Sequence, residues 1–81
     1  MTMAELGFQL ILNLNQHSCP SGLRIRRLDL TDGEDIKQYL GKKYSIRDVV
    51  INETYILDLS EAKIDGNVLI FPKGKTNFYK A

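Results

Sequence analysis

Apolar and polar residues alternate with a period of two along most of this chain, and that spacing predicts strands. From Gly7 to Gln16, Phe8, Leu10, Leu12 and Leu14 fall on one face and Gln9, Ile11, Asn13 and Asn15 on the other, the pattern of a strand with one buried side. Alternation resumes at Leu23 and Ile25 against Arg24 and Arg26, breaks phase at Arg27, and continues on Leu28 and Leu30; an extra residue there suits a β-bulge. The two runs predict a hairpin closed by the Pro- and Gly-punctuated loop from His17 to Gly22. The most strand-like stretch is Glu53 to Pro72. Tyr55, Leu57 and Leu59 alternate with Ile56, Asp58 and Ser60, and Val68 to Phe71 is an apolar run of strand length. Asp65-Gly66 between them suits a two-residue turn, and Pro72, which lacks an N–H, ends the pairing.

Helical signals are fewer. Thr31-Asp32-Gly33-Glu34 has the spacing of a capping box, so a two-turn helix is expected from there to Gly41, burying Ile36, Tyr39 and Leu40. Asp32, Glu34 and Asp35 at its start and Lys37, Lys42 and Lys43 at or beyond its end complement the helix dipole. Ser45 to Ile51 leaves two readings open: Ile46, Val49 and Val50 have helical spacing, while the β-branched content favours a strand. A turn is expected at residues 52–54. The whole predicts an α+β fold: a small antiparallel β-sheet of four or five strands in hairpins, with one short α-helix.

One regularity offers a different architecture. Leu57-Asp-Leu-Ser-Glu, Ala62-Lys-Ile-Asp-Gly and Asn67-Val-Leu-Ile-Phe recur at a spacing of five with Leu59, Ile64 and Leu69 at their centres, which resembles the pentapeptide repeat of a right-handed β-helix. The resemblance covers about fifteen residues, less than one coil, and a solenoid needs several stacked repeats to bury a core. The hairpin reading accounts for the same residues and is preferred.

Length and composition narrow the functional classes. At 81 residues, 43% hydrophobic and 26% charged, the chain is read as one small domain over residues 1–72 with residues 73–81 as a basic and aromatic tail or edge strand. A net charge of +1 supplies no global pull toward nucleic acid or an acidic membrane. The charges are blocked, however: residues 23–47 hold seven Lys or Arg against four acids, and residues 48–65 hold five acids against Lys63. Cys19 is the single cysteine, so no internal disulfide can form and a reducing, cytoplasmic setting is expected. The apolar run Phe8 to Leu14 is too short to span a bilayer, and neither a signal peptide nor a membrane partner is expected.

Candidate chemistry is sparse. His17 and Cys19 lack an orienting carboxylate for a nucleophilic pair and are too few for zinc. The spacing of Asp29, Asp32, Glu34 and Asp35 does not match a calcium loop, and helix capping explains most of them. Asp58 and Glu61 carry no mark of a general acid and base. The expectation is therefore a non-enzymatic protein with no cofactor and no metal. Its contact residues are taken from the basic patches and the aromatic tail: Arg24, Arg26, Lys42, Lys43, Arg47, Phe78 and Tyr79. Alternating charge blocks suit steering toward a protein partner, as in the small inhibitors and adaptors that bacteria and phages encode. Nucleic-acid binding by the arginines and lysines beside Tyr44 is the alternative. A homodimer through an unprotected edge strand is also expected.

Overall fold

The computed structural model describes residues 1–16 and 22–81, so the His17 and Cys19 pair lies outside the described residues. In chain order the elements are α1 (Met3–Gln16), β1 (Arg27–Asp29), α2 (Glu34–Lys37), β2 (Lys43–Asp48), β3 (Glu53–Asp58), β4 (Lys63–Asp65), β5 (Val68–Ile70) and β6 (Phe78–Lys80). The fold is α+β, as expected. Its strands form two antiparallel three-stranded sheets, ordered β2-β3-β6 and β1-β5-β4. Among the described residues six short strands replace four or five, and a second, longer helix is present.

That longer helix corrects the first expected strand. Residues 3–16 coil because Leu6, Gly7, Leu10, Ile11 and Leu14 form one buried helical stripe, whereas Phe8 and Leu12 of the alternating set point outward. Its start is a capping box. The Thr2 Oγ1 accepts the Glu5 backbone N–H at 3.2 Å, and the Glu5 carboxylate accepts the Thr2 N–H at 3.3 Å. With no strand at residues 7–16, β1 pairs instead with β5, Leu28 opposite Leu69. Phase does break where expected, since Arg26 and Arg27 are both exposed between buried Ile25 and half-buried Leu28.

The long apolar stretch divides between the two sheets. β3 pairs with β2 and β6, while β4 and β5 form their own hairpin, Asp65 opposite Val68. Its turn residues are therefore Gly66 and Asn67, with Gly66 at φ 64°, rather than Asp65 and Gly66. Glycine at the first turn position supplies the positive φ that a tight hairpin needs. Antiparallel pairing here also excludes a β-helical coil.

The one capping box that was expected, at Thr31, does not form. Thr31 makes no cap; Gly33 occupies the N-cap, and the Asp32 carboxylate accepts the Glu34 N–H at 3.1 Å. Gly33 donates its own N–H to the Asn67 side chain at 3.0 Å, which ties α2 to the β4-β5 turn. Ile36 is fully buried and Tyr39 and Leu40 pack on the core, but α2 is one turn rather than the expected two: it ends at Lys37 with Gln38 as its C-cap, and non-helical turns carry the chain on to Gly41 at φ 91°.

Residues 78–80 resolve the tail in favour of a strand. β6 sets Phe78 opposite Leu57 and Tyr79 opposite Ile56, and the Leu23 N–H donates to the Phe78 carbonyl at 2.7 Å on its other edge. Phe78 is fully buried and stacks on Tyr55 with ring centroids 5.4 Å apart.

Candidate partner-binding groove

The fold separates the residues expected to make contacts. Phe78 belongs to the core and offers no surface to a partner, because its ring stacks on Tyr55 beneath the sheet. Arg24 and Arg26 are exposed, but they precede β1 and do not share a strand face with the other cations. The Arg26 carbonyl accepts the Phe71 N–H, which places Arg26 on the β1-β5-β4 side, whereas Arg24 directly follows Leu23, which bridges to Phe78 of β6. Lys42 sits just before β2, its carbonyl accepting the Leu59 N–H at 2.9 Å.

Three of the seven do converge. Residues opposite each other in an antiparallel pair point to the same face, so the row Ser45, Ile56, Tyr79 lies on one side of the β2-β3-β6 sheet. Lys43 and Arg47, each two residues from Ser45, share that side. The other side, with Tyr44, Ile46, Tyr55, Leu57 and Phe78, faces the core and α1.

Between α1 and β2 runs an open groove of about 520 Å³. Met3, Phe8 and Ile11 form its helical wall, and Ile46, Val49 and Val50 its strand wall. The helix approaches β2 closely at Gly7, where a Cβ would lie 2.8 Å from Ile46 Cγ2. Phe8 is 65% exposed, and Val49 and Val50 are 79% and 88% exposed. Of the large exposed apolar side chains, all but Ile70 lie on the outer face of α1 or in the β2-β3 loop. Phe8, Val49 and Val50 thus form an exposed apolar margin on both walls of the groove.

The loop that carries Val49, Val50 and Ile51 is held by polar residues on both sides. The Asp48 carboxylate accepts the Val50 N–H at 3.1 Å, Asn52 adopts φ 56°, and Arg47 donates to the Asn52 side-chain oxygen. Asn tolerates the left-handed conformation better than other side chains, so it fits this closing position. Three successive β-branched apolar residues at a hairpin tip run against ordinary turn chemistry, and that was the sequence signal for the groove. The alternation-based reading took these residues as part of an ambiguous helix or strand.

Elsewhere the charges serve the fold. Lys75 reaches both Asp58 at 3.7 Å and Glu61 at 3.3 Å, which accounts for that carboxylate pair. Burial pushes the Asp58 carboxyl up, but hydrogen bonds from the Ser60 hydroxyl and N–H, with the charges of Lys75 and Lys43, outweigh it and hold the group below its ordinary value. Glu53 is likewise held low, by Lys80 first and then by the Tyr55 hydroxyl, which donates to it at 2.9 Å. Burial, together with that carboxylate, raises the Tyr55 phenol.

Among the described residues no three His, Cys, Asp or Glu side chains gather closely enough to hold a metal ion, and no helix is long and apolar enough to cross a membrane. Compared with family models, curated proteins and solved structures, the chain matches none.

Proposed function

We propose that this protein is a non-enzymatic interaction domain, an inhibitor or adaptor, that binds a protein partner through the groove between α1 and β2 and the apolar loop beside it. The observation that carries this reading is the exposure of Val49, Val50 and Ile51 at the tip of a hairpin whose flanking polar residues hold it in place. Loop tips are ordinarily polar, and an apolar tip beside an apolar groove gains free energy only when something covers it. Lys43 and Arg47 at the same strand supply a charged margin, the usual arrangement of an apolar centre with a polar rim.

Nucleic-acid binding is the second reading, favoured by the presence of Lys43, Arg47 and Tyr79 on one sheet face. One experiment separates the two. Tagged protein and its Val50→Asp variant are incubated with a bacterial lysate, and the bound material is treated with nuclease and washed in high salt. A protein retained stoichiometrically by the parent and lost from the variant supports the groove. Equal retention by both would overturn it, and nucleic acid released by salt would replace it with the second reading.

A further inference from the structure

β2 is an end strand, and its hydrogen-bonding directions follow from the neighbours of β3. The Ala81 N–H donates to the Thr54 carbonyl and the Asp58 N–H to the Asn77 carbonyl, so Thr54 and Asp58 turn their backbone groups toward β6. Directions alternate along an antiparallel strand, so Glu53, Tyr55 and Leu57 turn toward β2 and bond with Asp48, Ile46 and Tyr44. Lys43, Ser45 and Arg47 then aim their N–H and C=O groups away from the sheet. No other described element bonds to them. This free edge borders the groove, whose lining runs unbroken along β2 from Ser45 into the loop.

Resting on the protein-binding reading above, we infer that β2 recruits an extended segment of its partner as an added strand. The segment carries carboxylates four residues apart, with apolar side chains between them. Residues of an added strand that bond opposite Lys43, Ser45 and Arg47 share their outer face, and the intervening ones point to the α1 side, over Ile46 and Phe8. Apolar side chains therefore belong at the intervening positions. Carboxylates belong opposite Lys43 and Arg47, neither of which makes an ion-pair contact among the described residues, although Lys43 faces Asp58 across the β2-β3 ladder and helps to hold it ionised.

The same charges disfavour a second copy of this chain. Antiparallel pairing of two β2 strands centred on Ser45 sets Lys43 opposite Arg47 at both ends, and like charges directly opposed are destabilising; the equally long register centred on Ile46 sets Ser45 opposite Arg47 and leaves Lys43 beyond the paired residues. A docked amphipathic helix would leave the free edge groups without partners. An extended acidic segment satisfies both the edge and the charges.

The test uses a random 12-residue peptide library displayed on phage and panned on the intact protein, with one synthetic peptide, centred on Glu-Val-Thr-Val-Glu, as a defined probe. Selected peptides are expected to alternate apolar residues with acids four apart. Binding should slow hydrogen exchange at the Lys43, Ser45 and Arg47 amides. Ser45→Pro, which removes an outward N–H at an edge position where proline is tolerated, should weaken the defined probe at least tenfold, and Ser45→Ala should not. Reversing both charges (Lys43→Glu with Arg47→Glu) should turn the selected pattern basic. Exchange protection is read on the unmodified chain, so poor folding of the proline variant leaves the question decidable. Peptides that bind without protecting those amides would overturn strand addition. So would a Val50-dependent protein partner with no selected peptide, although the protein-binding reading would then survive. A rise in mass to a dimer with no peptide pattern would assign the edge to a second copy and overturn the inference.

Discussion

Gly7 of α1 lies against Ile46 of β2 with no room for a side chain: a Cβ on Gly7 would stand 2.8 Å from Ile46 Cγ2 and 3.0 Å from its Cδ1. This contact fixes the separation of helix and strand, and so the width of the groove beside it. Gly7→Ala sets a gain in helix propensity of about 1 kcal/mol against overpacking of about 1–3 kcal/mol. The strain should win, because Cγ2 is attached directly to Cβ and cannot swing clear. Urea denaturation should show a net loss of about 1 kcal/mol, cancelled when Gly7→Ala is made on an Ile46→Ala background.

Gly33 presents a second close approach, with a different partner. A Cβ there would meet the Gly66 carbonyl oxygen at 2.5 Å, and backbone cannot yield as a side-chain tip can. Gly33→Ala should therefore destabilise by about 1–3 kcal/mol despite an ordinary helical φ of −75°. Asn67→Ala should also destabilise, since it strips the partner from the half-buried Gly33 N–H. Thermal midpoints of both variants should fall, while Gly74→Ala, whose side chain would meet nothing within 4 Å, should show only the cost of its positive φ.

Strand β6 is as much core as edge. Phe78 fills the space between Tyr55 and the bridge to Leu23, and truncating a buried phenylalanine to alanine costs about 3–5 kcal/mol. Small domains hold only about 5–15 kcal/mol in all. Removing residues 73–81 should therefore yield a chain without cooperative unfolding in circular dichroism, and Phe78→Leu should retain most of the lost stability. A shortened chain that unfolds as sharply as the parent would show that β6 is dispensable.

The strands were more legible than the helices, for a physical reason visible at α1. Leu10 and Leu14 belong both to the alternating set and to the helical one, so the choice of period turned on Phe8 and Leu12, which are exposed. The decisive signal lay upstream, in Thr2 and Glu5, whose capping box starts the helix before the apolar run begins. Thr31 and Glu34 have the same spacing, but Gly33 and Asn67 satisfy that helix start from the far hairpin. Long-range partners of this kind leave no trace in local spacing. The α+β class was readable because it depends on local backbone preference and alternation. The division of residues 53–71 between two sheets was not, since it depends on β6 arriving from the end of the chain to pair with β3. On the sheet face beside the groove, Lys43, Arg47 and Tyr79 were legible as surface residues, while Phe8 and the loop residues of the groove itself were hidden by being apolar.

Acid should weaken the protein through Asp58. Its carboxylate accepts the Ser60 N–H at 3.0 Å and the Ser60 hydroxyl at 2.5 Å and lies 3.7 Å from Lys75, and these contacts favour the ionised form. A carboxyl held below its unfolded value binds its proton more weakly when folded. Its contribution to stability is complete above the unfolded value, about pH 4, and disappears as pH falls through the lower folded value. Urea midpoints measured from about pH 6 to pH 2 should therefore decline below about pH 4. Asp58→Asn should start lower at neutral pH, because the amide offers a weaker acceptor to Ser60 and no charge to Lys75, and should then decline less steeply. Parallel curves for the two proteins would show that Asp58 contributes nothing to the acid sensitivity and would shift attention to Glu53, which Lys80 and Tyr55 also hold in its ionised form.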